Sequence, residues 1–138
     1  MSQENVEMAK RFNEAGRHGD VEAVEAAFFQ FVAEGVVATD FGDSLDTPNV
    51  VHGRNALRDA YRQVAEVLDD YYREVDEYVE VGDWVIAVGR WVGTGKASGV
   101  PVERRGTNAG RWREGKIVEW LFGLDSKEAA LEVVESRE

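Results

Sequence analysis

Apolar residues recur at helical spacing from the start of the chain. Val6, Ala9, Phe12 and Gly16 share one side of residues 3–17, with Gln3, Glu4, Lys10, Arg11 and Glu14 mostly off that stripe. This predicts an amphipathic helix with Ser2 as its N-cap. The pattern stops at Arg17-His18-Gly19-Asp20. There Gly19 suits a left-handed C-terminal cap and Asp20 can cap the next helix. Val21, Val24, Phe28, Phe31 and Val32 carry that second helix to about Glu34-Gly35. Residues 36–41 are β-branched and alternating, which predicts a strand. Residues 42–49 have loop composition, and Val50-Val51-His52 is a short extended piece closed by Gly53. A third helix follows over 54–69, with Leu57, Tyr61, Val64 and Leu68 on one side.

The remainder reads as β. Strands are predicted over 72–81, 84–94, 102–112 and 117–124, with turns at Gly82-Asp83 and Arg113-Glu114-Gly115-Lys116. Asp125-Ser126-Lys127-Glu128 resembles a capping box, a short side-chain acceptor followed three residues later by Glu, and starts a last helix ending near Val134. Helices first and a meander afterwards is an α+β layout, with helices laid on one face of a curved antiparallel sheet. One strand breaks the alternation. Trp84-Val85-Ile86-Ala87-Val88 is apolar at both parities. An antiparallel strand with one wet face alternates, so both faces of this one are covered. The helices account for one face, and the expectation for the other is a second subunit, a homodimer packed sheet to sheet.

Composition narrows the function classes. The 138 residues are 43% hydrophobic and 31% charged, an ordinary globular mix for a single domain over 1–138. The formal net charge is -11, which disfavours nucleic acid and anionic membrane surfaces as partners. The absence of cysteine excludes disulfides, thiolate metal sites and a Cys nucleophile. No apolar run approaches the roughly 18 residues of a membrane span. The first ten residues lack the pattern of a signal peptide, and the expected location is cytoplasmic.

Few motifs carry chemistry. Residues 93–99 lack dinucleotide-loop spacing, and residues 110–116 are followed by Ile117 where a phosphate loop needs Ser or Thr. Asp40, Asp43 and Asp46 lie in or beside a loop, but a cation site needs about six oxygens, so the triplet reads as a solvated loop rather than a metal site. His18 reads as exposed, and His52 as packed at a helix start. By alternation Trp112 shares a face with Gly106, Asn108 and Gly110. Missing side chains beside an indole and an amide either open a cavity or permit the sheet to bend.

Taken together, the pieces resemble the SnoaL-like, ketosteroid-isomerase-like branch of the nuclear-transport-factor-2 superfamily. The matching segments are Gly19-Asp20 with the apolar second helix, His52-Gly53-Arg54-Asn55-Ala56-Leu57, Gly82-Asp83-Trp84-Val85-Ile86-Ala87 and Ser98-Gly99-Val100-Pro101-Val102-Glu103. Trp112-Arg113-Glu114-Gly115-Lys116-Ile117-Val118 and Leu124-Asp125-Ser126-Lys127-Glu128-Ala129-Ala130-Leu131 complete the set, which spans nearly the whole chain. The resemblance implies a cone: a curved antiparallel sheet wrapped on three N-terminal helices, a short C-terminal helix, a pocket at the open end, and frequent dimers through the sheet. It does not imply one activity, since members include isomerases, polyketide cyclases, hydrolases, dehydratases and non-enzymatic binding domains.

Steroid isomerases of this family use a strand carboxylate as base, with a tyrosine and a protonated aspartate stabilising the enolate. Carried over by motif, the base position is Asp40, with Asp43 as the alternative carboxylate. The tyrosine position is Phe12 and the acid position is Asn108. An amide still donates one hydrogen bond, but a lost oxyanion donor costs about 10²- to 10³-fold in rate. Epoxide hydrolases of the superfamily use an Asp-Arg-Asp set, for which Arg90 and Arg104 are available without two placed aspartates. The implied activity is cofactor-free and metal-free acid/base chemistry on an apolar carbonyl compound. Asp40 would take the proton and Asn108 would donate to the enolate oxygen. Phe12, Tyr61, Trp84, Trp112, Trp120 and Phe122 would contact the substrate. The alternatives are a hydrophobic-ligand-binding protein without chemistry and a dimerisation domain whose cavity is filled.

Overall fold

A computed structural model describes residues 2–16, 21–42 and 49–137, with side chains from residue 4 onward. The predicted order of elements is present, except that the single strand expected over 102–112 is two strands interrupted at Gly106. Helices α1 (Ser2–Ala15) and α2 (Val21–Phe31) are followed by strands β1 (Val32–Asp40) and β2 (Asn49–His52) and by helix α3 (Arg54–Ala65). Then come β3 (Leu68–Val81), β4 (Trp84–Gly95), β5 (Pro101–Arg105), β6 (Thr107–Arg113) and β7 (Lys116–Leu124), and finally α4 (Lys127–Ser136). Ser126 caps α4 as its sequence suggests, accepting from the Ala129 N–H at 3.1 Å.

Two boundaries move for a tertiary reason. Val32 fits the helical stripe of Phe28 and Phe31, yet it opens β1, where it pairs with Ile117 and is fully buried. Leu68 fits the stripe of α3 but opens β3 opposite Gly95. In both cases a cross-strand partner far along the chain decides the backbone state, which local periodicity cannot register.

The strands form one mixed sheet in the order β2-β1-β7-β6-β4-β3, with β5 also paired to β4. The sheet is antiparallel except for β1 and β7, which run parallel with Ala38 opposite Trp120 and Asp40 opposite Phe122. The expectation of a wholly antiparallel sheet therefore needs correcting. Hairpins force antiparallel pairing only between strands they join, and no hairpin joins β1 to β7. Strands β5 and β6 continue one ladder along β4, because Arg90 faces Arg105 and Ala87 faces Asn108 in the same register, with a break only at Gly106.

That break belongs to a line of bends across the sheet. Gly106 donates to the Gly89 carbonyl at 3.4 Å, and Gly123 of β7, with φ 71°, adjoins Gly106 on the other side. Opposite Gly89, β3 is bulged between Val75 and Glu77. A Cβ at Gly89 would fall on the backbone carbonyl oxygen of Glu74. Only glycine admits so close an approach, so curvature is set by small residues on adjacent strands. Gly89→Ala is expected to cost about 3 kcal/mol, the upper end for an overpacked site, or roughly 10 °C in Tm by thermal unfolding. An unchanged Tm would show that β3 does not need this approach.

The two faces of the sheet carry separate cores. Helices α1 to α3 cover the concave face, where Phe12, Phe28, Phe31, Val36, Val85, Trp112, Ile117 and Trp120 cluster. Helix α4 covers part of the other face, where Ala130 and Val134 pack on Trp84, Ile86, Ala109, Leu121 and Leu124. This explains the doubled apolarity of β4: Val85 faces the helices and Trp84 and Ile86 face α4. The expectation of a sheet-to-sheet homodimer drew on that apolarity; at Trp84 and Ile86 the chain's own last helix supplies the cover. Among the described residues, no helix is long and apolar enough to cross a membrane.

Candidate functional site

Between the concave face and the helices lies a cavity of about 250 Å³. Phe12 and Asn13 of α1, Phe28 of α2 and Leu57 and Tyr61 of α3 form its helical wall. The sheet contributes Ala38 and Asp40 of β1, Tyr71 and Arg73 of β3, Trp91 of β4, Arg104 of β5, and Trp120 and Phe122 of β7. The walls are aromatic and interlocked. Trp120 lies edge-on to Phe12, with ring centroids 5.2 Å apart, and 4.6 Å from Phe122. Tyr71 stacks on Trp91 at 4.9 Å with planes 13° apart. A cavity of roughly 150 Å³ lined by apolar groups takes benzene, so this one suits a ligand of one or two rings.

Asp40 closes β1 and lies half-buried on the rim. Its Oδ1 accepts from the Gly42 N–H at 2.8 Å, a turn that fixes the carboxylate's direction. The turn exists because Gly123 leaves room for it. A Cβ on Gly123 would stand 2.7 Å from the Gly42 nitrogen and 2.9 Å from Asp40 Oδ1. A Cβ on Gly42 would overlap the Arg104 guanidinium. The Tyr71 hydroxyl feels both charges. Burial, the largest influence, raises its pKa, Arg104 and Arg73 oppose the rise, and Asp40 reinforces it. The phenol therefore stays protonated at neutral pH and able to donate.

The residues expected at the site divide into three groups. Asp40, Phe12, Tyr61, Trp120 and Phe122 line the cavity together. Asn108 and Trp112 do not reach it. They line an adjoining recess of about 30 Å³, and Phe12, Asn13, Arg73 and Trp120 border both spaces. Trp84 is a correction: it is fully buried under α4 on the opposite face of the sheet, because strand alternation separates it from Val85 and Ala87. Gly106 and Gly110, weighed as cavity or bend, do both, since Gly106 interrupts the ladder and lines the cavity while Gly110 lines the recess. Asp43, Asp46 and His18 lie outside the described residues, and His52 is exposed.

The Asp-Arg-Asp set is not assembled among the described residues. Arg90 is tied instead to Glu74 at 3.0 Å, Asp76 at 3.5 Å and Glu103 at 3.8 Å, away from the cavity. Sequence reasoning missed Tyr71, Arg73 and Trp91. A signal for them existed. Tyr71 and Arg73 are two apart on β3, and Trp91 faces Arg73 across the ladder, so a register for β3 and β4 would have grouped them.

Comparison with known proteins agrees with this architecture. The model of the SnoaL-like domain matches residues 9–120. No curated protein matches the chain significantly. Among solved structures, a candidate SnoaL-like polyketide cyclase from Mesorhizobium loti is 25% identical, with TM-score 0.63 over 85% of this chain and 96% of that one. A second candidate SnoaL-like polyketide cyclase, from Jannaschia sp. CCS1, is 15% identical with TM-score 0.74 over 96% and 91% of the two chains. A protein with a ketosteroid-isomerase-like fold from Catenulispora acidiphila, solved with trimethylamine, is 14% identical with TM-score 0.67 over 84% and 83%. An α+β fold with a bent, open sheet, a match across most of the chain and these neighbours lead to one conclusion: the chain belongs to the SnoaL-like domain family.

Proposed function

We propose that the protein is a cofactor-free acid/base enzyme that moves a proton on an apolar carbonyl compound of one or two rings. The observation that carries this reading is Asp40, a carboxylate on the lining of an aromatic cavity, oriented by the Gly42 N–H. A carboxylate held in reach of a C–H beside a carbonyl is a general base, a role typically contributing 10²- to 10⁴-fold in rate. The enolate oxygen so formed needs a donor. Phe12 has no hydroxyl to offer, and Asn108 is set back in the recess. Tyr71, protonated and electrostatically coupled to Asp40, is the hydroxyl on the cavity wall best suited to that part.

The lack of a hydroxyl at Phe12 favours a second reading, a carrier that binds apolar ligands without turnover. One experiment separates the two. The bicyclic ketone 2-tetralone is incubated with the protein in D₂O and loss of its α-hydrogens is followed by NMR, while 2-naphthol, a planar enol of the same outline, is titrated by tryptophan fluorescence. The enzyme reading predicts exchange at least about 10²-fold above buffer together with saturable 2-naphthol binding. Binding without exchange selects the carrier. Neither binding nor exchange contradicts both.

A further inference from the structure

One buried charge has no counter-ion among the described residues. Arg73 is 6% exposed. Its Nη2 donates to the Ala87 carbonyl at 2.6 Å, and its guanidinium stands 5.5 Å from the centre of the Trp91 ring. Nε and Nη1 are shut off from solvent and donate to nothing, and among the described residues no carboxylate forms an ion pair with Arg73. Burial lowers its pKa to about 10, which leaves it charged at neutral pH. Asn108, 3% exposed, has neither its amide nitrogen nor its amide oxygen bonded. Both side chains border the recess of about 30 Å³ that adjoins the cavity. A water needs roughly 10–15 Å³ of such space, so this recess takes a small polar group and not a ring. Buried polar groups are nearly always satisfied, and an unpaired buried cation is costly, so Arg73 and Asn108 call for an acceptor from outside the chain.

Charge around the cavity points the same way. The chain holds 27 acidic residues against 16 basic ones. The charged residues lining the cavity reverse that balance: Arg73, Arg104 and Arg105 against Asp40 alone. A net-acidic protein with a cationic cavity lining selects an anion there.

We propose that the cavity takes ligands bearing a carboxylate at their buried end, seated in the recess on Arg73 and Asn108 with the ring system between Phe12, Trp120 and Trp91. This deepens the proposed function, and it rests on the reading that the cavity holds a ligand. It makes the substrate class an aromatic or alicyclic keto acid, with its carboxylate inside and its reacting C–H toward Asp40.

The test compares 2-naphthoate with 2-naphthamide, a neutral molecule of nearly the same shape, by calorimetric titration. The wild-type protein is expected to bind the carboxylate at least about tenfold more tightly, as charge-assisted pairing requires. Arg73→Met should remove that preference, weakening naphthoate by at least about tenfold and naphthamide by a smaller factor, and keep or raise Tm, because it deletes an unpaired buried charge. Asn108→Ala should weaken naphthoate by a smaller factor. Equal affinity for the two probes, or undiminished naphthoate binding by Arg73→Met, overturns the inference while the ligand cavity stands. Failure of the wild-type protein to bind either probe removes the ligand cavity as well.

Discussion

Replacing Trp84 by alanine is expected to lower the unfolding free energy by about 3–5 kcal/mol, among the largest losses available to a single core substitution. Trp84 has no exposed surface and is surrounded by Ile86, Leu121, Leu124, Ala130 and Val134. Its removal leaves a void where α4 meets the sheet. Trp84→Phe should cost far less, under about 1.5 kcal/mol. The smaller ring loses contact area and the Arg111 guanidinium 5.7 Å from the indole. It also deletes a buried Nε1–H with no acceptor, and that change favours the variant. Denaturant unfolding followed by circular dichroism measures both. Because Trp84 faces away from the cavity, folded Trp84→Phe should bind 2-naphthol like the wild type. A large affinity loss with unchanged stability would mean that Trp84 reaches the ligand.

Trp84 also shows where sequence reading reaches its limit. Its strand was identifiable, and so was the unusual fact that both faces had to be covered. What covers the second face was not, because the short helix after Ser126 gives no sign in its own residues of which surface it meets. A second copy and a terminal helix satisfy the same pattern. The capping signal at Ser126, the glycine before α3 and the hairpin at Glu114-Gly115 are local devices, and local devices survive in sequence. Pairing β1 beside β7 is set by contacts some 80 residues apart, and with it goes the proximity of Asp40, Gly42 and Gly123.

The candidate site divides along the same line. Asp40, Phe12 and Trp120 were recoverable by resemblance, since each sits beside a recognisable segment. Arg73 was not. It lies between Tyr72 and Glu74 in a stretch dense with charge, which reads as a wet surface strand. Only the bend of the sheet and the cover of α1 bury it. A buried, unpaired guanidinium is a product of tertiary packing and has no sequence signature of its own.

The second large effect concerns Asp40→Asn. The substitution keeps size and keeps an oxygen that can accept from the Gly42 N–H, so the turn and the cavity rim should persist. It removes the negative charge and the basicity. If Asp40 takes the proton, the rate should fall by about 10²- to 10⁴-fold, the usual worth of a placed general base, with little change in Tm. Ligand affinity should hold, because the aromatic walls supply most of the contact area and remain in place.

The most direct measurement is the α-hydrogen exchange of 2-tetralone in D₂O by the wild-type and Asp40→Asn proteins, run beside 2-naphthol titrations of both. The role of Asp40 as general base predicts equal naphthol binding and at least about 10²-fold slower exchange in the variant. Exchange at the wild-type rate in Asp40→Asn would contradict it.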